Sequence, residues 1–433
     1  MNTEHLYQIY LKHPVICTDT RKISQGCLFF ALKGDNFDGN KFAKQAIEQG
    51  AAFSIVDNPE FAVDERFILV GDVLQALQDL ARFHRRKLEI PVIGITGTNG
   101  KTTTKELIRS VLSRQFNTFA TEGNLNNHIG VPISILSIKN ECEIAIIEMG
   151  ANHQKEIEFL CSISLPTHGL ITNVGKAHLE GFGGVEGVKK GKGELYEFLL
   201  ASGGQVFINS NDETLKKMAE ERGLNNIIGY GKAPENFITA RLKETDPFLI
   251  VEWNKGGGES YLAMSHLPGT YNFDNICAAI CIGSFFGMDA VKINEGIYQY
   301  KPVNNRSQIV KTALNTVICD YYNANPSSML VALDNLISTK SDNKVLILGD
   351  MFELGQEAEQ EHRMILDKTM SLSASRRIMI GEEFFKLAHN SDAEFYRNTS
   401  DASEALQKNP IKNATVLLKG SRGMKLENLL DLL

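Results

Sequence analysis

Between Pro91 and Glu106 the chain reads Pro-Val-Ile-Gly-Ile-Thr-Gly-Thr-Asn-Gly-Lys-Thr-Thr-Thr-Lys-Glu. An apolar run leads into a turn with two glycines, and the turn into a lysine followed by hydroxyls. Gly97 and Gly100 let the backbone curl with its N–H groups facing an anion. A helix opening near Lys101 adds the positive end of its dipole. The Lys101 ammonium reaches toward outer phosphates, and a hydroxyl from Thr102 or Thr103 is a ligand for Mg²⁺. The chemistry this spacing serves is the binding of a nucleotide's phosphate chain. The strict Walker spacing asks for glycine where Ile95 stands, so Gly97–Thr103 is a compact variant of that loop.

Other reactive groups sit where strands should end. The run Glu143–Ala151 closes on Glu148, and in parallel α/β sheets ligands gather at the carboxyl ends of strands. Glu148 reads as a holder of the nucleotide's metal or as a solvated strand end. His178 lies just past the run Gly169–Val174. It is either a structural histidine or a partner of Glu148 on a second metal, magnesium preferring oxygen but accepting an imidazole. Lys189, Lys190 and Lys192 open a helical stretch and by themselves read as a solvated face. Asn272 and Asn275 stand three apart at a helix head, as capping residues would. The amide-rich stretch Thr121–Pro132, with Asn124 and Asn127, is a loop able to contact a ligand.

These groups need strands and helices to position them, and the pattern supplies three α/β units. Residues 1–83 read as a small unit with strands at Gly26–Leu32 and Ala52–Val56 and a helix at Lys41–Gln49. Thr20, Arg21 and Lys33 flank the first strand, where they either grip an anion or form turns. Residues 84–300 form a larger unit around the phosphate loop, with a mainly parallel sheet and a hairpin add-on over 226–265. It is entered through the basic segment His84–Lys87. Residues 301–433 alternate strands (316–320, 344–350, 377–381, 415–420) with helices, which implies a third, doubly wound, Rossmann-like unit. Its strands end in Asp320, Asp350 and Lys419, a reactive edge suited to closing over a ligand held by the neighbouring unit.

Bulk composition narrows the classes. The 433 residues suit about three domains. A net charge of −7 argues against a sequence-independent nucleic-acid binder. The first residues lack a signal-type apolar core, and the most apolar stretch, Ile276–Met288, is too short to span a bilayer. Seven scattered cysteines without a C-x-x-C pair read as reduced core residues, so a cytoplasmic protein with no membrane insertion is the expectation, with a monomer as default.

The order of motifs resembles the Mur ligase family along nearly the whole chain. The carrying residues are 97–106, Glu148–Ala151, Thr172–Glu180, Lys192–Glu194, Tyr271–Asn275 and Leu418–Arg422, together with Asp19–Ile23, Phe29–Gly39, Thr121–Pro132, Asp320–Met329 and Leu348–Gly355. The resemblance is closest to the branch that adds D-alanyl-D-alanine to a UDP-N-acetylmuramoyl-tripeptide in peptidoglycan precursor synthesis. It implies an ATP- and Mg²⁺-dependent, ADP-forming ligase. The first domain would bind the UDP part of the substrate, the central P-loop-type domain ATP, and the third the dipeptide side. By the same resemblance Lys101, Glu148, His178 and Lys192 are catalytic. Thr102, Glu148, His178 and Lys192 hold metal, Lys192 as a CO₂-derived carbamate. Gly97, Thr98, Asn99, Gly100, Lys101, Thr102, Thr103, Asn272, Asn275, Arg306, Asp320 and Tyr322 face ATP. Thr20, Arg21, Lys33, Asn124 and Asn127 are expected on the UDP-linked substrate. Alternatives are a sister ligase that adds a single amino acid to a muramoyl peptide or a folate, and a nucleotide-dependent switch without ligase chemistry.

Overall fold

The computed structural model describes residues 1–302, 305–388 and 392–433. Three large sheets follow one another along the chain, and Lys33–Gly34 pairs with Phe37–Asp38 in a separate two-stranded ribbon. The first has four parallel strands in the order Ile16–Cys17, Leu28–Phe30, Phe53–Val56 and Phe67–Leu69. The second has nine, in the order Ser260–Met264, Ile250–Lys255, Ile238–Glu244, Ile227–Gly231, Gln205–Asn209, His168–Ile171, Val92–Thr96, Ile144–Glu148 and Thr118–Ala120. All run the same way except Ile250–Lys255, whose antiparallel pairing with both neighbours makes that end of the sheet a meander, turning at Gly256 and Gly257. The third has six: Gln308–Lys311, Thr316–Asp320, Thr415–Lys419, Lys344–Gly349, Arg376–Ile380 and Glu394–Tyr396, parallel but for the antiparallel edge Gln308–Lys311. Among the described residues no helix is long and apolar enough to cross a membrane. All seven cysteines are free and buried.

The central strands are apolar without alternation because helices cover both faces. Val92–Thr96 and Ile144–Glu148 are buried at every position. Gly94 belongs there for space: a Cβ would stand 2.8 Å from Met149 Cε and 3.1 Å from Pro166 Cβ.

The first two sheets share a core. The helix Val73–Arg85 follows the last strand of the first sheet and lies against the helices Gly130–Leu136 and Glu156–Ser164 of the middle unit. Leu6, Tyr10, Leu77 and Leu80 pack in one cluster with Val131, Leu136 and Leu160. The basic entry segment is thus half buried, with Arg86 and Lys87 exposed. His84 and Arg85 are buried, with the Arg85 guanidinium donating to the carbonyls of Ser164 and Leu165 at 2.8 and 2.9 Å. The division at 83/84 falls inside this helix. The third sheet has core clusters of its own, whose buried residues run from Val317 onward with Val310 packed against them.

Candidate functional site

A cleft of about 990 Å³ opens between the middle and third units, at the carboxyl ends of their strands. Its floor is the phosphate loop. After Thr96 the chain turns through Gly97 (φ +142°) and Gly100 (φ +79°) and enters the helix Lys101–Leu112. Both glycines are required twice over, by conformation and by space. A Cβ on Gly97 would lie 2.0 Å from Thr172 Oγ1, and one on Gly100 2.8 Å from Asn275 Oδ1.

The loop is clamped from the next strand. Ile171 pairs with Thr96 in register, so the segment after Ile171 runs beside the loop. Thr98 N donates to Asn173 O at 3.0 Å, Asn99 N to Asn173 Oδ1 at 3.0 Å, and Thr172 Oγ1 to Asn99 O at 2.6 Å. Lys101 Nζ donates to the carbonyls of Gly97 (2.7 Å) and Thr98 (3.1 Å). Burial holds its ammonium below the ordinary lysine range; Glu148 opposes that and Arg306 adds to it. An ionised phosphate is a stronger acceptor for this ammonium than neutral carbonyls.

Glu148 is buried at the end of its strand, and both oxygens are engaged: Oε2 accepts from Thr102 Oγ1 at 2.9 Å, Oε1 from Asn126 Nδ2 at 2.8 Å. Behind it lies the fully buried Lys105, 3.9 Å from Glu148 Oε2 and 3.0 Å from Glu106 Oε1, and also donating to Thr121 O. Thr103 lines the cleft beside Thr102, as do Asn124 and Asn127 from the amide loop, where Asn127 Oδ1 also caps the N–H groups of Ile129 and Gly130.

Lys192 departs from the solvated face read from its pattern. Its helix, Val185–Ser202, turns Lys190 to solvent and Lys192 inward, where only 2% of the residue is exposed. Its Nζ donates to Ala151 O at 3.2 Å and sits 5.1 Å from the centre of the Phe182 ring. Burial, with the Lys101 charge adding to it, pushes this amine well below the ordinary lysine range. His178 lines the cleft with φ +51°, a left-handed backbone that costs a non-glycine residue roughly 1 kcal/mol or more. Its Nδ1 contacts Glu353 Oε2 of the third unit.

Asn272 and Asn275 do not cap their helix, whose first turn has no side-chain cap. They form an amide relay instead: Asn272 Nδ2 donates to Pro268 O (2.7 Å), Asn275 Nδ2 to Asn272 Oδ1 (2.9 Å), and Thr104 Oγ1 to Asn275 Oδ1 (2.9 Å). The reason is packing, since the helix start is pressed against the phosphate-loop helix and the amides face inward.

The third unit closes the cleft with Arg306, Asp320 and Tyr322. The Arg306 guanidinium stacks 3.7 Å from the Tyr322 ring centre. Asp320 Oδ2 accepts from the buried Lys419 Nζ at 2.7 Å, a pairing set by the register of Asp320 opposite Lys419. Asn325 Nδ2 donates to Asn99 Oδ1 (2.8 Å), Lys176 N to Ser327 Oγ (2.9 Å), and Lys176 Nζ meets Glu361 Oε1 at 2.6 Å, so this unit is docked onto the phosphate loop's own clamp.

The structure thus brings together the expected phosphate-loop, metal and nucleotide-facing residues around one cleft, with Gly97 and Lys192 just behind its lining. Thr20, Arg21 and Lys33 are not among the lining residues. Thr20 starts a short turn, Arg21 pairs with Asp19 at 2.8 Å, and Lys33 pairs with Asp57 at 2.7 Å. Sequence reasoning did not single out Asn126, Lys105, Asn173, Glu353 or Glu361. Asn173 carried a signal as a polar residue at a strand's end, and Asn126 as a member of the amide-rich loop.

The donor set suits Mg²⁺. Among the described residues no three His, Cys, Asp or Glu side chains cluster as a ready-made metal cage. Magnesium is ordinarily held by one or two carboxylates completed by phosphate oxygens and water, and a buried carboxylate hydrogen-bonded to a hydroxyl beside a phosphate loop meets that need.

Comparison with known proteins agrees with this geometry. Family descriptions match in three consecutive stretches: "Mur ligase family, catalytic domain" over residues 14–85, "Mur ligase middle domain" over 95–283, and "Mur ligase, glutamate ligase domain" over 305–422. The UDP-N-acetylmuramoyl-tripeptide–D-alanyl-D-alanine ligase of Bacillus subtilis (strain 168) is 34% identical over 429 residues, covering 96% of this chain and 92% of its own. The crystal structure of MurF from Acinetobacter baumannii superposes with a TM-score of 0.86 at 30% identity, covering 96% of this chain and 92% of that one. MurF ligase from Thermotoga maritima, solved in complex with ADP, gives 0.84 at 25% identity, with 96% of each chain covered. On the matched domains and a relative this similar across its length, the chain belongs to the Mur ligase family.

Proposed function

We propose that this chain is an ATP-dependent, ADP-forming ligase that joins D-alanyl-D-alanine to UDP-N-acetylmuramoyl-tripeptide, a cytoplasmic step in making peptidoglycan precursors. The observation that carries the reading is the docking of a third domain bearing Arg306, Tyr322 and Asp320 onto a phosphate loop flanked by Glu148, His178 and Lys192. The tripeptide carboxylate attacks the terminal phosphorus of ATP, ADP leaves, and an acyl phosphate results. The dipeptide amine then attacks the acyl carbon, phosphate leaves, and an amide remains.

The barrier to the first step is the approach of two anions. Lys101, the loop N–H groups and the dipole of the helix Lys101–Leu112 face the phosphates, and Arg306 adds a fixed positive charge from the other side. Thr102 and Glu148 would hold the nucleotide's Mg²⁺, and His178 with Lys192 a second ion. Bound there, Mg²⁺ would neutralise charge on the phosphoryl and carboxylate oxygens. Lys192 fits its part only when modified. A neutral amine adds CO₂, forming a nitrogen–carbon bond and releasing a proton, and the carbamate anion is an oxygen ligand suited to magnesium. The burial that favours the neutral amine of Lys192 supports that reading. The N-terminal unit would hold the UDP moiety through Thr20, Arg21 and Lys33, with Asn124 and Asn127 nearer the cleft. Every residue invoked belongs to one chain, so a monomer suffices. Docking of the third domain shields the acyl phosphate from water.

The test is phosphate release from ATP by the purified protein with Mg²⁺ and UDP-N-acetylmuramoyl-tripeptide, with and without D-alanyl-D-alanine. Release should require both substrates and yield a UDP-muramoyl-pentapeptide by mass. Equal turnover with single amino acids would move the assignment to a sister ligase. Release indifferent to both substrates would leave only a nucleotide site.

A further inference from the structure

The geometry points to Glu353, on the third domain, as the positioning residue that orients the His178 imidazole, so that the second metal site is complete only when that domain is docked. The inference rests on the reading of His178 as a metal ligand. Glu353 Oε2 meets His178 Nδ1 across the domain boundary as an ion-pair contact without hydrogen-bond geometry, and that buried nitrogen has no hydrogen-bond partner among the described residues, which leaves this carboxylate as the group placed to accept its N–H. An imidazole whose Nδ1–H is donated to a carboxylate presents Nε2 as a lone pair, and metal-bound histidines are commonly fixed by such a partner. Here the partner comes from a different domain than the ligand.

The surrounding contacts make the coupling specific. His178 lies on a segment that meets the third domain at successive points. Lys176 N donates to Ser327 Oγ (2.9 Å), Lys176 Nζ pairs with Glu361 (2.6 Å), and a Cβ on Gly355 would be 3.1 Å from Glu180 Cβ. Both His178 (φ +51°) and Glu353 (φ +61°) adopt the left-handed conformation that side-chain-bearing residues avoid, so each is held by its surroundings at the point of contact. Neither Glu148 nor Thr102 touches the third domain in this way. Their hydrogen bonds stay within the middle unit, to Asn126, Thr121 and each other. Docking should therefore govern the His178 ion and leave the Glu148 ion alone.

The experiment counts Mn²⁺ bound to the full-length protein by the loss of the free-ion paramagnetic resonance signal, with a non-hydrolysable ATP analogue and bicarbonate present. The native chain should hold two ions. Glu353→Ala should weaken the second by about 10- to 100-fold and leave the first unchanged. Glu353→Gln, which keeps an oxygen acceptor, should fall between. His178→Ala is the reference and should lose the second ion. If His178→Ala loses one ion while Glu353→Ala binds both like the native chain, the positioning role is refuted and the ligand reading stands. If Glu353→Ala weakens both ions equally, the effect is general loosening and the proposal also fails. If His178→Ala still binds two ions, the ligand reading falls and takes this inference with it.

Discussion

Lys176→Ala should release the third domain by leaving a buried charge without its counter-ion. Glu361 is 3% exposed, its Oε1 meets Lys176 Nζ at 2.6 Å, and among the described residues its Oε2 has no hydrogen-bond partner. Removing one member of a fully buried pair costs about 3–5 kcal/mol, whereas an exposed pair is worth about 0–1. Lys176 is 44% exposed, so water already screens its side of the pair, and an intermediate cost of about 2 kcal/mol is expected. The docked state bears that cost and an undocked state, with Glu361 hydrated, does not. The docking equilibrium should then shift roughly thirtyfold toward the open form. Small-angle scattering of the native chain, Lys176→Ala, Glu361→Gln and the double variant would read it, with turnover as a companion. Lys176→Ala should expand the protein and raise KM for substrates bound between the domains. Adding Glu361→Gln, which removes the stranded charge, should restore most of the docking. A coupling energy below about 0.5 kcal/mol in that cycle would refute the reasoning, because independent sites add to within that margin.

Three further outcomes can be checked. Lys192→Ala should lower turnover by about 10²–10³, with partial rescue by formate or acetate; native turnover in that variant would remove the carbamate from the account. Gly97→Ala places a Cβ 2.0 Å from Thr172 Oγ1 at a φ of +142°, so it should destabilise the fold by about 2–3 kcal/mol and weaken nucleotide binding more than tenfold, as thermal unfolding and ATP-analogue titration would show. Burial pushes His168, packed against Phe207, Phe285 and Phe286, down to about 4. The unfolded chain takes up that proton near the ordinary histidine value and the folded chain does not. This contribution is therefore intact above about pH 6.5 and is lost progressively toward pH 4, by at most about 3 kcal/mol. Urea unfolding of His168→Phe should lack that part of the acid dependence, and a stability difference from the native chain that ignores pH would contradict it.

The parts of the site that the sequence announces are those whose signal is local. The phosphate loop carries its glycines, lysine and hydroxyls within a few residues, and Glu148 and Asp320 end apolar runs that can only be strands. The hidden parts are pairings between distant segments. Nothing near Gly97 says that Thr172 will stand beside it. That follows from His168–Ile171 lying next to Val92–Thr96, a matter of strand order. Glu353 and His178 meet only because two domains dock. Spacing alone reads Lys192 as solvated, because one lysine among three carries no mark of which face its helix buries; only the family resemblance marks it out. The edge strands Gln308–Lys311 and Glu394–Tyr396 leave little trace in the sequence because they are short and only partly buried, without a continuous apolar run.

The core common to the first two sheets bears on how the chain unfolds. With Leu77 and Leu80 packed among Val131, Leu136 and Leu160, the N-terminal unit cannot lose its helix Val73–Arg85 without exposing the middle unit's apolar surface. The third unit's clusters draw their buried residues from Val317 onward, with Val310 packed against them, and take none from the first two units. Three domains by sequence are thus two cooperative blocks by energetics, one of residues up to about 300 and one after. Calorimetry of the free chain should resolve two heat-absorption peaks rather than three. A nucleotide gripped by Lys101 on one block and Arg306 on the other would draw those peaks together.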